Sequence, residues 1–198
     1  MPANWGGFTA QMNSWFCGNA EGGEDYQQAG APTAKKIADE YQLAITGLAA
    51  VLPYNNLLTG GWVKATMESG FKASFSQAFN LAGIPPEGVD LGVPTWIPAA
   101  TGTVNAWAAA TFNPLPPHPP DIAPTTGVQL LDPGLGAIPS LAKSIHDAFH
   151  SQQCASIAGI LVSGFTQHLS MISGIYLGLI PTPTGPVPGP PIPWVGVA

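Results

Sequence analysis

Apolar positions along the 198-residue chain change their rhythm from one region to the next. Ile37, Tyr41, Ile45, Leu48 and Leu52 recur at helical spacing behind Pro32-Thr33, with Thr33 the expected N-cap, and Pro53 stops the run. After Gly60-Gly61, Val63, Met67, Phe71, Phe75 and Phe79 define a second amphipathic helix that ends near Gly83. Helical spacing returns at Pro139-Ser140, with Leu141, Ile145 and Phe149 on one face, and an apolar run follows from Ile157 to Leu179. Between these regions, prolines at 85, 86, 94, 98, 114, 116, 117, 119, 120, 124, 133 and 139 come too often for a continuous helix or a central strand. Thr101–Phe112 is the one stretch there that could pair as a short strand.

The flanks read differently. Residues 1–31 are rich in Gly, Asn and Gln with scattered aromatics, which suggests an irregular extended arm. Residues 180–198 hold seven prolines and read as a stiff, polyproline-like tail. The expected fold is therefore mainly α: an arm (1–31), a helical hairpin (32–83), a Pro/Gly-rich crossover (84–138), a second hairpin (139–179) and a Pro-rich tail (180–198). Ala34-Lys35-Lys36-Ile37-Ala38-Asp39-Glu40-Tyr41 aligns with Ala142-Lys143-Ser144-Ile145-His146-Asp147-Ala148-Phe149, and Ser69-Gly70-Phe71 with Ser163-Gly164-Phe165. These matches suggest an internal duplication of the hairpin.

Composition narrows the function classes. The chain carries 5 Lys and Arg, 11 Asp and Glu and a net charge of −6, beside 24 glycines and 22 prolines. All five cations are lysines, a poor match for nucleic acid, whose phosphates call for clustered basic residues. A charged fraction of 8% lies far below the roughly 25% of ordinary soluble domains. No charged residue follows Asp147, so the last quarter of the chain needs cover. Cys17 and Cys154 stand far apart in sequence, and two free thiols are the expectation.

Candidate chemistry is sparse. His146-Asp147-Ala148-Phe149-His150 echoes the zincin pattern H-E-x-x-H, with Asp in place of the general-base Glu and His168 a candidate third ligand. Solvated histidines on a polar helix face are the simpler reading, so no metal and no cofactor are expected. No nucleophile elbow, phosphate-binding loop or dinucleotide fingerprint is present, so no enzyme is expected. Residues 155–180 are long enough to span a bilayer, yet Ser163, Thr166-Gln167-His168 and Ser170 place polar groups mid-span. Membrane association through 155–180 is the alternative reading.

The helix Leu141–Phe149, the small uncharged residues after it and the closing Ile180-Pro181-Thr182-Pro183-Thr184-Gly185-Pro186-Val187-Pro188-Gly189 resemble minor structural proteins of tailed-bacteriophage particles. The resemblance covers about 60 residues of the C-terminal third. It implies a virion component of the tail–baseplate or of the neck and capsid, assembled in the host cytoplasm, with no catalytic residues to carry over. Its partners would be other virion subunits or copies of itself. On this reading a helical body docks while the arm and tail latch onto neighbours, through Trp5, Trp15, Trp62, Trp96, Trp107, Ile192, Trp194 and Val195.

Overall fold

Phe8, Met12 and Phe16 lie four residues apart and form one buried stripe, so the glycine-rich start of the chain folds as helix α1 (Trp5–Gly18). The computed structural model describes residues 3–18, 30–46, 48–50, 56–79, 90–113, 123–151, 153–180 and 182–198. It is mainly helical, with two small sheets. The remaining elements are α2 (Gly30–Ile45), β1 (Ala49–Ala50), β2 (Asn56–Gly60), α3 (Lys64–Phe79), α4 (Ile97–Asn105), β3 (Thr111–Phe112), β4 (Ala123–Asp132), α5 (Ile138–Phe149), α6 (Cys154–Met171), β5 (Ser173–Ile180), β6 (Val187–Pro188) and β7 (Ile192–Val195). Short 3₁₀ turns at Val93–Trp96 and Leu135–Ala137 lead into α4 and α5.

The amphipathic runs at Ile37–Ile45, Met67–Phe75 and Leu141–Phe149 are buried faces of α2, α3 and α5. Several other expectations are corrected. Trp5–Gly18 of the expected arm form α1, packed on α2 and α6, and residues 19–29 lie outside the described residues. Thr33 lies inside α2, where its hydroxyl accepts from the Trp15 indole at 3.2 Å instead of capping the helix. Residues 101–112 are mostly the end of α4 and a run of turns, and only Thr111–Phe112 pair as strand. The reason is that Pro98 opens a helix rather than ending one, as Pro139 does at the start of α5, where the sequence also places a helix start. A first-turn proline has no partner to lose, and its fixed φ suits the helix. Leu52, Pro53, Gly83 and the prolines at 85, 86, 114, 116, 117, 119 and 120 lie outside the described residues.

Two glycines set the helix spacing. Gly70 of α3 and Gly102 of α4 meet with their backbones touching: a Cβ on Gly70 would lie 2.4 Å from the Pro98 carbonyl oxygen and 2.9 Å from Gly102 Cα. Ser74 of α3 then reaches the start of α4 and accepts from the Ala99 amide at 3.0 Å, satisfying one of the orphan donors there. Gly164 of α6 makes room instead for a side chain, since a Cβ there would lie 2.7 Å from Ser144 Cβ of α5. Around these crossings the aromatics interlock. Phe165 meets Trp5, Phe8 and Tyr41, while Phe149 stacks on Trp96 at 4.9 Å and meets Phe75 edge-on at 5.0 Å. The buried Tyr41 hydroxyl accepts from the Trp107 indole at 3.0 Å, and burial pushes its phenol pKa up.

Helices α1 and α6 run antiparallel, since Trp5 lies on Phe165 at one end and Cys17 meets Cys154 at the other. The two cysteines form a disulfide with their Cα atoms 5.4 Å apart, which corrects the expectation of free thiols. A separation of 137 residues carries no hint of that proximity; the helix packing creates it.

The tail is also corrected. It turns back at Gly185 and pairs antiparallel with β5: Ile180 opposite Val187, then, after a shift, Tyr176 opposite Ile192 and Gly174 opposite Trp194. Strand β4 pairs along the other side of β5. The tail is thus an edge strand, the one sheet position that tolerates Pro188 and Pro193. The Trp194 indole lies over Gly174, where a Cβ would come within 2.6 Å of the ring. The apolar run 155–180 breaks at Ile172 into helix and strand, and among the described residues no helix is long and apolar enough to cross a membrane.

Two outcomes are expected. The double variant C17S/C154S should lose about 2–4 kcal/mol of stability, read as a lower urea midpoint under non-reducing conditions, because the bridge closes a long loop. Gly174→Val should cost about 2 kcal/mol or more, read as a lower urea midpoint, because its Cβ would lie 2.0 Å from the Gln129 carbonyl oxygen of β4 and 2.6 Å from the Trp194 ring.

Candidate functional site

Of the eight residues expected to meet a partner, most are used internally. Trp96 and Trp107 are fully buried, and Trp194 is covered by the sheet it closes. Trp5, Trp15, Trp62 and Ile192 are partly buried against the core, Trp62 stacking on Tyr41 at 5.4 Å. Only Val195 presents most of its surface, 63%, to solvent. It borders a cleft of about 460 Å³ lined by Ala3, Trp5, Leu169, Ser170 and Val197, none of them charged.

A second constellation gathers polar chemistry. His146 in the last turn of α5 and His150 at its C-terminal cap stack with ring centroids 4.4 Å apart, as their i,i+4 spacing dictates. Both aim Nε2 at Asp90. His146 Nε2 lies 3.0 Å from each Asp90 oxygen, and His150 Nε2 lies 3.4 Å from Oδ1. Asp90 is held in place by the Gly92 amide, which donates to Oδ1 at 2.6 Å across a tight turn that Gly92 closes at φ 78°. On the far side of His146, Nδ1 lies 3.2 Å from Asp147 Oδ1, and Lys143 pairs with the other Asp147 oxygen. The Gly92 amide, then the His146 ring, hold the Asp90 carboxyl below the usual carboxylate range. The Lys143 ammonium does the same for Asp147.

The sequence pairs His146 with His150 but assigns Asp147 and His168 the wrong parts. Asp147 backs His146 from behind instead of standing where a general base would, and the carboxylate that both rings share comes from Asp90. His168 is buried elsewhere on α6, with Nε2 donating to the Pro133 carbonyl at 2.8 Å. Gly134, at φ 87°, leaves room for it: a Cβ there would stand 2.9 Å from the imidazole. One signal was available in the sequence. Asp90-Leu91-Gly92 and Asp132-Pro133-Gly134 are the same device, an Asp side chain accepting from the Gly amide two residues on, followed by a 3₁₀ turn and an Ile-Pro helix start. The second turn sets the Pro133 carbonyl against His168, and the first holds the Asp90 carboxylate against His146 and His150.

No protein-family model, curated protein or solved structure matches this chain.

Burial lowers the His168 pKa to about 4, against partial opposition from its bond to Pro133 and the nearby Asp132 carboxylate. Above about pH 6.5 the ring is neutral folded or unfolded, so it adds no pH dependence there. As pH falls from 6.5 towards 4 the unfolded chain takes the proton first, and stability drops by up to about 3 kcal/mol. Denaturant titrations of wild type and His168→Gln across that window should therefore diverge, with the variant less acid-sensitive.

Proposed function

We propose that the chain is a non-catalytic structural subunit of a bacteriophage virion, docking on a neighbouring subunit through the uncharged face around Val195. The observation that carries this reading is the exposed Val195 bordering a cleft lined without Asp, Glu or Lys side chains, in the region where none of these residues follows Asp147. An exposed apolar surface of this kind, without charges to keep it solvated, is favoured by being covered. The resemblance of residues 141–149 and 180–189 to minor phage structural proteins supplies the class of particle. The Cys17–Cys154 bridge is compatible with it, since disulfides persist on particles outside the reducing cytosol. A latch made by the tail itself is not part of the proposal, because the tail is engaged with β5.

Deleting residues 180–198 would remove β6 and β7 and with them one edge of the sheet, so a point change is the cleaner test. Val195→Glu, made in the phage genome, should cut incorporation at least tenfold by quantitative mass spectrometry of purified particles, while the isolated variant melts like wild type. Absence of the wild-type chain from purified particles would overturn the virion reading. Wild-type incorporation of Val195→Glu would overturn the docking face.

A further inference from the structure

We propose that Asp90, His146 and His150 form a binding site for a divalent transition-metal cation of the zinc class. The inference is separate from the docking face and stands on the geometry of three side chains. Their candidate ligand atoms all lie within 4.8 Å of one another. A tetrahedral Zn²⁺ with ligands at roughly 2.0–2.1 Å holds neighbouring donor atoms about 3.3–3.4 Å apart. The nitrogen-to-oxygen distances here, 3.0 and 3.4 Å, need only small adjustment to reach that spacing.

The three side chains converge on one point. Both nitrogens of His146 face carboxylate oxygens, Nδ1 towards Asp147 and Nε2 towards Asp90. His150 directs its own Nε2 at the same Asp90 carboxylate, and the two rings stack with centroids 4.4 Å apart. A cation placed among the two Nε2 atoms and the Asp90 carboxylate would meet a donor atom from each of the three side chains.

The surroundings match those of bound metals. A ligating histidine generally donates its other N–H to a carboxylate, which fixes its tautomer and orientation, and ligating carboxylates are themselves hydrogen-bonded. Asp147 fills the first role and the Gly92 amide the second. The imidazole donors favour zinc-class ions over Mg²⁺ and Ca²⁺, which take oxygen ligands. His150 and Asp90 are exposed, so the ion can enter, and water can complete its coordination. Bound there, the ion would clamp the turn at Asp90–Gly92 to the end of α5.

The test uses the purified full chain, disulfide intact, titrated with ZnCl₂ by isothermal calorimetry. One equivalent of Zn²⁺ should bind per chain. His150→Ala and Asp90→Asn should each weaken binding at least tenfold, and Asp147→Asn roughly tenfold through the His146 tautomer. MgCl₂ should give no comparable heat. Melting curves in EDTA check the folding of each variant. If a variant is unfolded, the same comparison is made on wild type, where Zn²⁺ should raise the melting temperature and Mg²⁺ should not. Absence of one-equivalent binding to wild type would overturn the site. So would unchanged Zn²⁺ affinity in a folded His146→Ala/His150→Ala double variant.

Discussion

The structure turns on the two faces of α6. Gly164 lets the helix press its backbone against Ser144 of α5, and the adjacent Phe165 fills the space between α1 and α2 by meeting Trp5, Phe8 and Tyr41. A helix gripped by neighbours on several sides has little use for charge, since an ion there would lose its water without gaining a partner. The absence of ionic groups after Asp147 is therefore met largely within the chain: α6 is packed against α1 and α5, and the segment after it is paired into a sheet. The large apolar side chains left exposed in this region are few among the described residues, and Val195 is the most exposed of them.

The same packing accounts for how the charged residues are used. Asp39 on α2 pairs with Lys35 one turn earlier and with Lys64 at the start of α3. Its partial burial alone would raise the carboxyl pKa, but the two lysines outweigh that and hold it below the usual range. The pair to Lys64 is half-exposed and adds modestly to stability, so its main effect is to fix how α3 leaves the first sheet. Lys143 and Asp147 repeat the i,i+4 pairing of Lys35 and Asp39 on α5, where the carboxylate also reaches His146.

Sequence patterning gave α2, α3 and α5 because their apolar residues repeat at helical spacing and face one core. It concealed α1 because glycine and asparagine dilute the stripe of Phe8, Met12 and Phe16. It concealed α4 because Pro98 looks like a breaker until its position in the first turn is known. The end of α6 at Ile172 has no signature, as both the helix and β5 are apolar and polarity does not change between them. The disulfide and the Asp90 cluster depend on contacts across 137 and 56 residues, distances over which local patterns carry no information. Of that cluster, the sequence exposed only the part written on one helix, His146 and His150.

The proline-bearing edge strand bears on how many copies of this chain can coexist. A free strand edge is a template on which a second chain can add, and then a third, until a fibre results. Here the edge beyond β5 is occupied by a segment in which Pro188, Pro190, Pro191 and Pro193 have no amide hydrogen to offer an incoming strand. Growth by backbone pairing is blunted on that side. Association there is left to side-chain surfaces, which must match in shape and so do not repeat indefinitely the way a bare strand edge does.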